Sequence, residues 1–183
     1  MDLNYETKRL ILRVLDASDA EKVCLFYQKN KYTFEPVEPP RVPNFYTLNF
    51  HKSNLSVEYN EFIHGRYLRL FLFEKNHPET IIGSLCFNNF RNGCFKSCVV
   101  GYKMDHNHCN LGYMSEGLNF AIQHILAKEY AIHRIEAMVL PNNNASIHLL
   151  EKLGFVNEGI TRDYANLNGI WRNHFRYSML VYQ

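Results

Sequence analysis

The sequence predicts an α/β fold, a mixed and largely antiparallel sheet flanked by about four helices. Three observations carry that expectation. Strand-forming aromatics are abundant, with 13 Phe and 12 Tyr among 183 residues. Three consecutive segments between Tyr67 and Met104 are rich in aromatic and β-branched residues and are joined by short turns. On both sides of them, apolar residues recur at helical spacing. The length suits one domain covering residues 1–183, and 46% hydrophobic residues provide for a substantial core.

The elements follow in order. Residues 8–14 read as a first strand, with Leu10 and Leu12 on one face. Asp16, Ser18 and Asp19 offer N-cap chemistry for a helix reaching about Lys29. Residues 35–43 carry Pro36, Pro39, Pro40 and Pro43, which remove donors and fix φ, so this segment is expected to be irregular. A second helix spans about 46–64 and is stopped by Gly65. Strands at 67–74, 80–89 and 96–104, with turns at 76–79 and 91–93, make an antiparallel meander. Met114, Leu118, Ala121, Ile122, Ile125 and Leu126 trace one face of a third helix. A strand at 134–140 and a short helix at 146–153, ended by Gly154, come next. Strands at 155–162 and 170–182 close the chain around a turn at Asn168-Gly169. The strand-helix-strand unit around the third helix requires one parallel pair in the sheet.

The formal net charge is +2, which implies no strong attraction to nucleic acid or membrane. Cys24, Cys86, Cys94, Cys98 and Cys109 are odd in number and include no CxxC pair, as expected of free thiols in a reducing cytoplasm. The first residues lack a basic-then-apolar signal pattern, and no apolar run approaches the length of a membrane span.

The chemistry is expected where the strand ending near Met104 meets the third helix. Free N–H groups at the helix start, around Gly112 and Tyr113, favour a phosphate, and Gly112 lets an anion approach the backbone. After the next strand, Asn142, Asn143 and Asn144 put several amides at one mouth of the sheet, where they also suit helix capping. Glu35, in the proline-rich segment, reads as a solvated loop carboxylate, an ammonium ligand or a base. His106, His108 and Cys109 lack a converging partner, so no metal site is expected.

Several spaced motifs then become specific. They are His-Arg-Ile-Glu-Ala at 133–137, Pro-Asn-Asn-Asn-Ala-Ser at 141–146, Leu-Glu-Lys-Leu-Gly-Phe at 150–155, Glu-Gly-Ile at 158–160 and Asn-Gly-Ile-Trp-Arg-Asn-His at 168–174. Arg-Leu-Ile-Leu-Arg at 9–13, Asn-Lys-Tyr-Thr-Phe-Glu-Pro at 30–36 and Gly-Cys-Phe-Lys-Ser-Cys-Val-Val-Gly-Tyr at 93–102 precede them. In this order the chain resembles ribosomal-protein-alanine N-acetyltransferases of the GNAT superfamily over nearly its whole length. The resemblance implies acetyl-CoA as cosubstrate and the N-terminal α-amine of a protein, possibly a ribosomal one, as acceptor. It implies that backbone N–H groups of Cys109, Asn110, Leu111, Gly112, Tyr113, Met114 and Ser115 hold the pyrophosphate. A backbone N–H among Tyr102, Lys103 and Met104 would stabilise the developing oxyanion, and Asn143 would contact the pantetheine arm. Ser146 would assist the departing thiolate, and Glu35 or a water chain would take the amine proton.

The chain also departs from the family pattern. Cys109 and Met114 replace the first and last residues of the usual Gln/Arg-x-x-Gly-x-Gly/Ala loop. Val99 stands where many relatives keep a glutamate, and Leu150 where many keep an acid tyrosine. Two alternatives stay open: a small-molecule amine as acceptor (a polyamine or aminoglycoside), which predicts an acidic pocket, and a silent acyl-CoA-binding module, which the losses at Val99 and Leu150 motivate. A monomer or a homodimer would serve any of these readings.

Overall fold

The computed structural model describes residues 2–182. Eight strands form one sheet: β1 (Asn4–Glu6), β2 (Leu10–Arg13), β3 (Leu68–Glu74), β4 (His77–Arg91), β5 (Ser97–Met104), β6 (Arg134–Val139), β7 (Val156–Leu167) and β8 (Ile170–Leu180). Helices α1 (Ala20–Lys29), α2 (Lys31–Phe34) and α3 (Leu48–Ile63) lie between β2 and β3, α4 (Tyr113–Phe120) follows β5, and α5 (Asn144–Lys152) follows β6. The sheet order is β1-β2-β3-β4-β5-β6-β8-β7. Every neighbouring pair is antiparallel except β5 and β6, the parallel pair that the strand-helix-strand order requires.

Alternation along the strands gives the sheet two different faces. Leu68, Leu70, Leu72, Leu85, Phe87 and Val100 share one apolar cluster with Leu118, Ile122 and Ile125 after β5 and with Leu150 of α5. Phe71 and Phe73 face the other way, against Val23, Phe26 and Tyr27 of α1 and Leu55 of α3. The stripe anticipated for the third helix is buried throughout. Its last six residues, Ala121–Leu126, adopt π geometry, and Ala127 N–H donates to Ile122 C=O at 3.1 Å. α5 ends in the expected glycine, with Phe155 N–H on Leu150 C=O at 2.9 Å and Gly154 N–H on Glu151 C=O at 3.0 Å. No helix among the described residues is long and apolar enough to cross a membrane.

Some boundaries differ from the sequence reading. The three-residue edge strand β1 was not anticipated. The single turn of α2 precedes the proline-rich segment, which opens with a 3-10 turn at Glu35–Val37, where Pro36 sits at a turn start that tolerates it. The turn expected at 76–79 is shorter, and β4 already begins at His77. Pro78 is accommodated there because pairing with β5 starts only at Gly83 and the β3 register shifts nearby. β7 runs past Arg162 to Leu167, its two register shifts absorbed at Gly159 (φ +113°) and Asp163 (φ +45°).

Asp105 fixes the end of β5. It is 1% exposed, and its backbone N–H donates to Ile82 C=O at 2.8 Å. Its carboxylate accepts from Asn30 Nδ2 (3.1 Å), Asn107 N–H (2.9 Å) and His108 Nδ1 (3.1 Å) and pairs with Lys29 Nζ (2.8 Å). Burial alone would raise its pKa, but Lys29, His108, Asn30 and Asn107 outweigh burial and hold it well below the usual carboxylate range. A depressed folded pKa adds stability that is present above the unfolded value near 4 and is lost as pH falls below it. Asp105→Asn should therefore lower stability by about 2 kcal/mol at pH 7. In denaturant titrations the gap to wild type should narrow steadily once pH drops below about 4.

Candidate active site

Three residue pairs hold β5 to β6: Ser97–Arg134, Cys98–Ile135 and Val99–Glu136. Beyond them β5 continues to Met104 and β6 to Val139 without pairing, so a gap opens in the middle of the sheet. The direction of the main chain follows from the β4 side. Asp105 N–H bonds to β4, and Ser84 pairs with Lys103, so Tyr102 and Met104 point their N–H and C=O groups toward the gap. Such groups require partners, and an amide-bearing chain lying in the gap would supply them.

One mouth of the gap lies at the start of α4. Gly112 is the N-cap with φ +79°, a left-handed conformation that suits glycine. No side chain caps this helix, so its first N–H groups are open to an anion. Arg9 braces the loop: Nη1 donates to Leu111 C=O at 2.9 Å, and Nε pairs with Glu116 at 2.7 Å. Glu116 also accepts from Thr7 Oγ1 (2.6 Å) and Arg9 N–H (2.8 Å), which occupies its charge within the protein. The adjoining cleft of about 530 Å³ is lined by Thr7, Arg9, Gly112, Ser115, Asn119 and Lys152, among others. Three cations, Lys8, Arg9 and Lys152, and a helix N-terminus therefore face one hollow, with Glu116 paired to Arg9 at its edge.

The other mouth lies at the start of α5. Asn143 is its N-cap, accepting from Ser146 N–H at 3.1 Å through Oδ1. Ser146 Oγ donates to the Tyr102 hydroxyl at 3.0 Å. Burial pushes the Tyr102 pKa up to about 12, and the Ser146 hydrogen bond offsets only part of this. Both hydroxyls keep their protons at neutral pH. The Tyr102 side chain is the site feature that sequence reading missed, since that residue was considered only for its backbone. Leu150, one turn beyond Ser146, is fully buried in the core.

The opposite face of β5 is polar and open. Gly101 is exposed although it lies in a central strand, and a Cβ built there would meet nothing within 4 Å. Cys86 and Val99 flank it, and Lys103 turns away from the gap to pair with Glu38. Glu38 also pairs with Arg41, whose guanidinium stacks on Phe45 at 4.1 Å. The proline-rich segment is thereby pinned beside the open floor. Glu35 accepts from Tyr46 OH at 2.9 Å in the same wall.

The structure thus brings Cys109, Asn110, Leu111, Gly112, Tyr113, Met114 and Ser115 to one mouth, and Tyr102, Asn143 and Ser146 to the other. Met104 lies along the gap, while Lys103 and Glu35 lie on the far face. His106 and His108 are committed to Asn30 and Asp105. Gly112→Ala should cost about 1–2 kcal/mol, because alanine is strained at this φ. Titration with inorganic pyrophosphate should show weakened anion binding in the same variant.

The comparisons agree with this geometry. Residues 9–156 match the acetyltransferase (GNAT) domain family. The chain is 34% identical over 169 residues to the ribosomal protein uS5-alanine N-acetyltransferase of Escherichia coli (strain K12), covering 92% of this chain and 86% of that protein. The crystal structure of ribosomal-protein-S5-alanine acetyltransferase from Vibrio fischeri superposes with a TM-score of 0.91 at 29% identity, covering 98% of this chain and 97% of that one. Mycobacterium smegmatis RimJ in complex with CoA-disulfide gives a TM-score of 0.86 at 25% identity, over 93% and 81% of the two chains. The family match covers most of the sequence and the Escherichia coli relative almost all of it, and the chain belongs to the GNAT acetyltransferase family.

Proposed function

We propose that this protein transfers the acetyl group of acetyl-CoA to the N-terminal α-amine of a protein, with a ribosomal protein as the favoured acceptor and the cytoplasm as the place of action. The observation that carries the reading is the gap between β5 and β6, with a helix start that no side chain caps at one mouth and two proton-bearing hydroxyls at the other. The residues fit acetyl-CoA. Backbone N–H groups from Cys109 to Ser115, with Arg9 and Lys152 nearby, would hold the diphosphate. Tyr102 and Met104 would bond the pantetheine arm and the thioester oxygen through their main chain. Asn143 uses Oδ1 in the cap and keeps its NH₂ for the arm. On the far face, Glu35 would draw an ammonium toward the open floor at Gly101, while Glu38 is neutralised by Lys103 and Arg41.

Acetyl-CoA supplies an activated thioester, and the protein supplies position and protons. The acceptor would enter over Gly101 and meet the thioester through the gap. Ser146, bonded to Tyr102, would protonate the leaving sulfur. Ser146→Ala should lower kcat on the order of 10²-fold while the acetyl-CoA Kd holds, as read by steady-state kinetics and calorimetry. An unchanged kcat would reduce Ser146 to a helix-cap partner.

The α-amine is favoured because attack requires the neutral form. At pH 7 about a tenth of α-amines are neutral, against roughly 0.04% of lysines. The relatives named as alanine N-acetyltransferases support the same choice. Of two peptides of one sequence, the one with a free N-terminus and no lysine should be acetylated faster than the N-blocked one with a free lysine. Faster reaction of the blocked peptide, or of small amines, would overturn the acceptor and leave the cosubstrate in place.

A further inference from the structure

Val99 removes the carboxylate that many relatives carry at this point of the strand, and the sheet register shows what replaces it. Val99 pairs with Glu136 of β6. Paired residues project from the same face, one strand spacing apart, about 4.8 Å. This is the last pair before the gap, and the face is the one on which Gly101 lies open. Glu136 therefore stands at the root of the gap, on the acceptor side, within reach of the place a carboxylate at position 99 would occupy.

Its hydrogen bonds suit a proton acceptor. Glu136 Oε1 accepts from Arg134 Nε at 2.7 Å. The other two nitrogens of that guanidinium bind Glu158, Nη1 at 2.8 Å and Nη2 on the second oxygen. One cation is thus shared by two carboxylates. Glu136 Oε2 has no protein hydrogen bond among the described residues, so one oxygen is oriented and free. The neighbouring carboxylates are less available. Both oxygens of Glu38 are engaged by Lys103 and Arg41, and Glu35 is bonded to Tyr46 on the loop. Glu58 also keeps one oxygen, Oε2, without a partner, but its Oε1 is tied to Asn54, Tyr67 and Arg69, and Arg69 lies on β3, two strands from β5.

We propose that Glu136 is the general base of the reaction, taking the acceptor's proton directly or through one water; the assignment rests on the acetyl transfer proposed above. The ammonium gives one proton to Glu136, which passes it to solvent. The neutral nitrogen forms the new C–N bond as the C–S bond breaks. Its second proton, carried by water, makes good the one that Ser146 gives to the thiolate sulfur.

The test is kinetics on wild type, Glu136→Gln, Glu136→Asp and the double variant Val99→Glu/Glu136→Gln, using one α-amine peptide from pH 7 to 9. Glutamine keeps the Arg134 bond and loses the base. Its kcat/KM for peptide should fall on the order of 10²-fold with the acetyl-CoA Kd unchanged. The deficit should shrink toward pH 9, as the amine deprotonates in solution. The charged or titratable groups around Glu136 are Arg134, the Glu158 that Arg134 also binds, Arg176 of β8 beside Glu158, and Cys98 of β5, and all are the same in every variant. The double variant, which returns the carboxylate to the neighbouring strand, should recover most of the loss. Should Glu136→Gln lose the fold in melting experiments, Glu136→Asp decides, with a lower rate but an unchanged pH profile. A Glu136→Gln enzyme within twofold of wild type, or an equal deficit at every pH without rescue from position 99, overturns the assignment. A wild type that binds acetyl-CoA and acetylates no amine overturns the proposed function as well.

Discussion

The divergence of β5 from β6 is the constraint on which the site depends. Three residue pairs join the strands, and then the one parallel pair among the described residues stops. An antiparallel neighbour could have continued alongside β5 by a tight turn. A parallel one must arrive through a crossover, and here that crossover carries α4 across the apolar face. The same connection therefore makes the gap and sets a helix N-terminus at its edge. Tyr102 and Met104 are left with main-chain groups that no strand satisfies, in the interior of an otherwise paired sheet.

A gap of this kind must be held open against closure, and charged contacts on both sides do this. Asp105 ties the end of β5 to Lys29 and Asn30 behind α1 and to His108 in the loop that leads to α4. Arg9, Thr7 and Glu116 tie that loop back to the entry of β2. The helix start is thus fixed from two directions while its own N–H groups stay free, which is the arrangement an incoming anion requires. At α5 the cap is internal, since Asn143 satisfies Ser146 N–H, and the Ser146 hydroxyl is released to meet Tyr102.

Much of this was legible in the sequence, for identifiable reasons. The strands from Tyr67 to Met104 and the helical stripe from Met114 to Leu126 were readable because burial imposes a period on apolar residues. Gly112, Gly154 and Asn168-Gly169 marked their turns, since each takes a positive φ in the fold. β1 was invisible, because three edge residues show no period. The extension of β7 was hidden by bulges that break alternation at Gly159 and Asp163. The roles of Tyr102 and Glu136 depend on facts that no local pattern carries. One needs the approach of Ser146 from a distant helix, and the other the register of a parallel pair. The family resemblance implied a carboxylate absent at Val99, and only the sheet shows which carboxylate stands beside it.

The same geometry argues for direct transfer rather than an acyl-enzyme on Cys109. That thiol lies in the loop at the α4 mouth, where a diphosphate would sit, and the Ser146–Tyr102 hydroxyl pair proposed to serve the thioester lies at the start of α5. Burial and the nearby Asp105 carboxylate both push the Cys109 pKa up, so the thiolate is scarce at neutral pH. Its sulfur rests 3.5 Å from Asp105 C=O, and the adjacent His108 is committed to the Asp105 carboxylate. No base is left to activate it. The open floor at Gly101, by contrast, gives an amine a route to the gap from the face opposite the Ser146–Tyr102 pair. On the proposed reading, acceptor and donor would enter from the two sides of one sheet and the reacting atoms would meet where the sheet parts, with no need of a relay through cysteine.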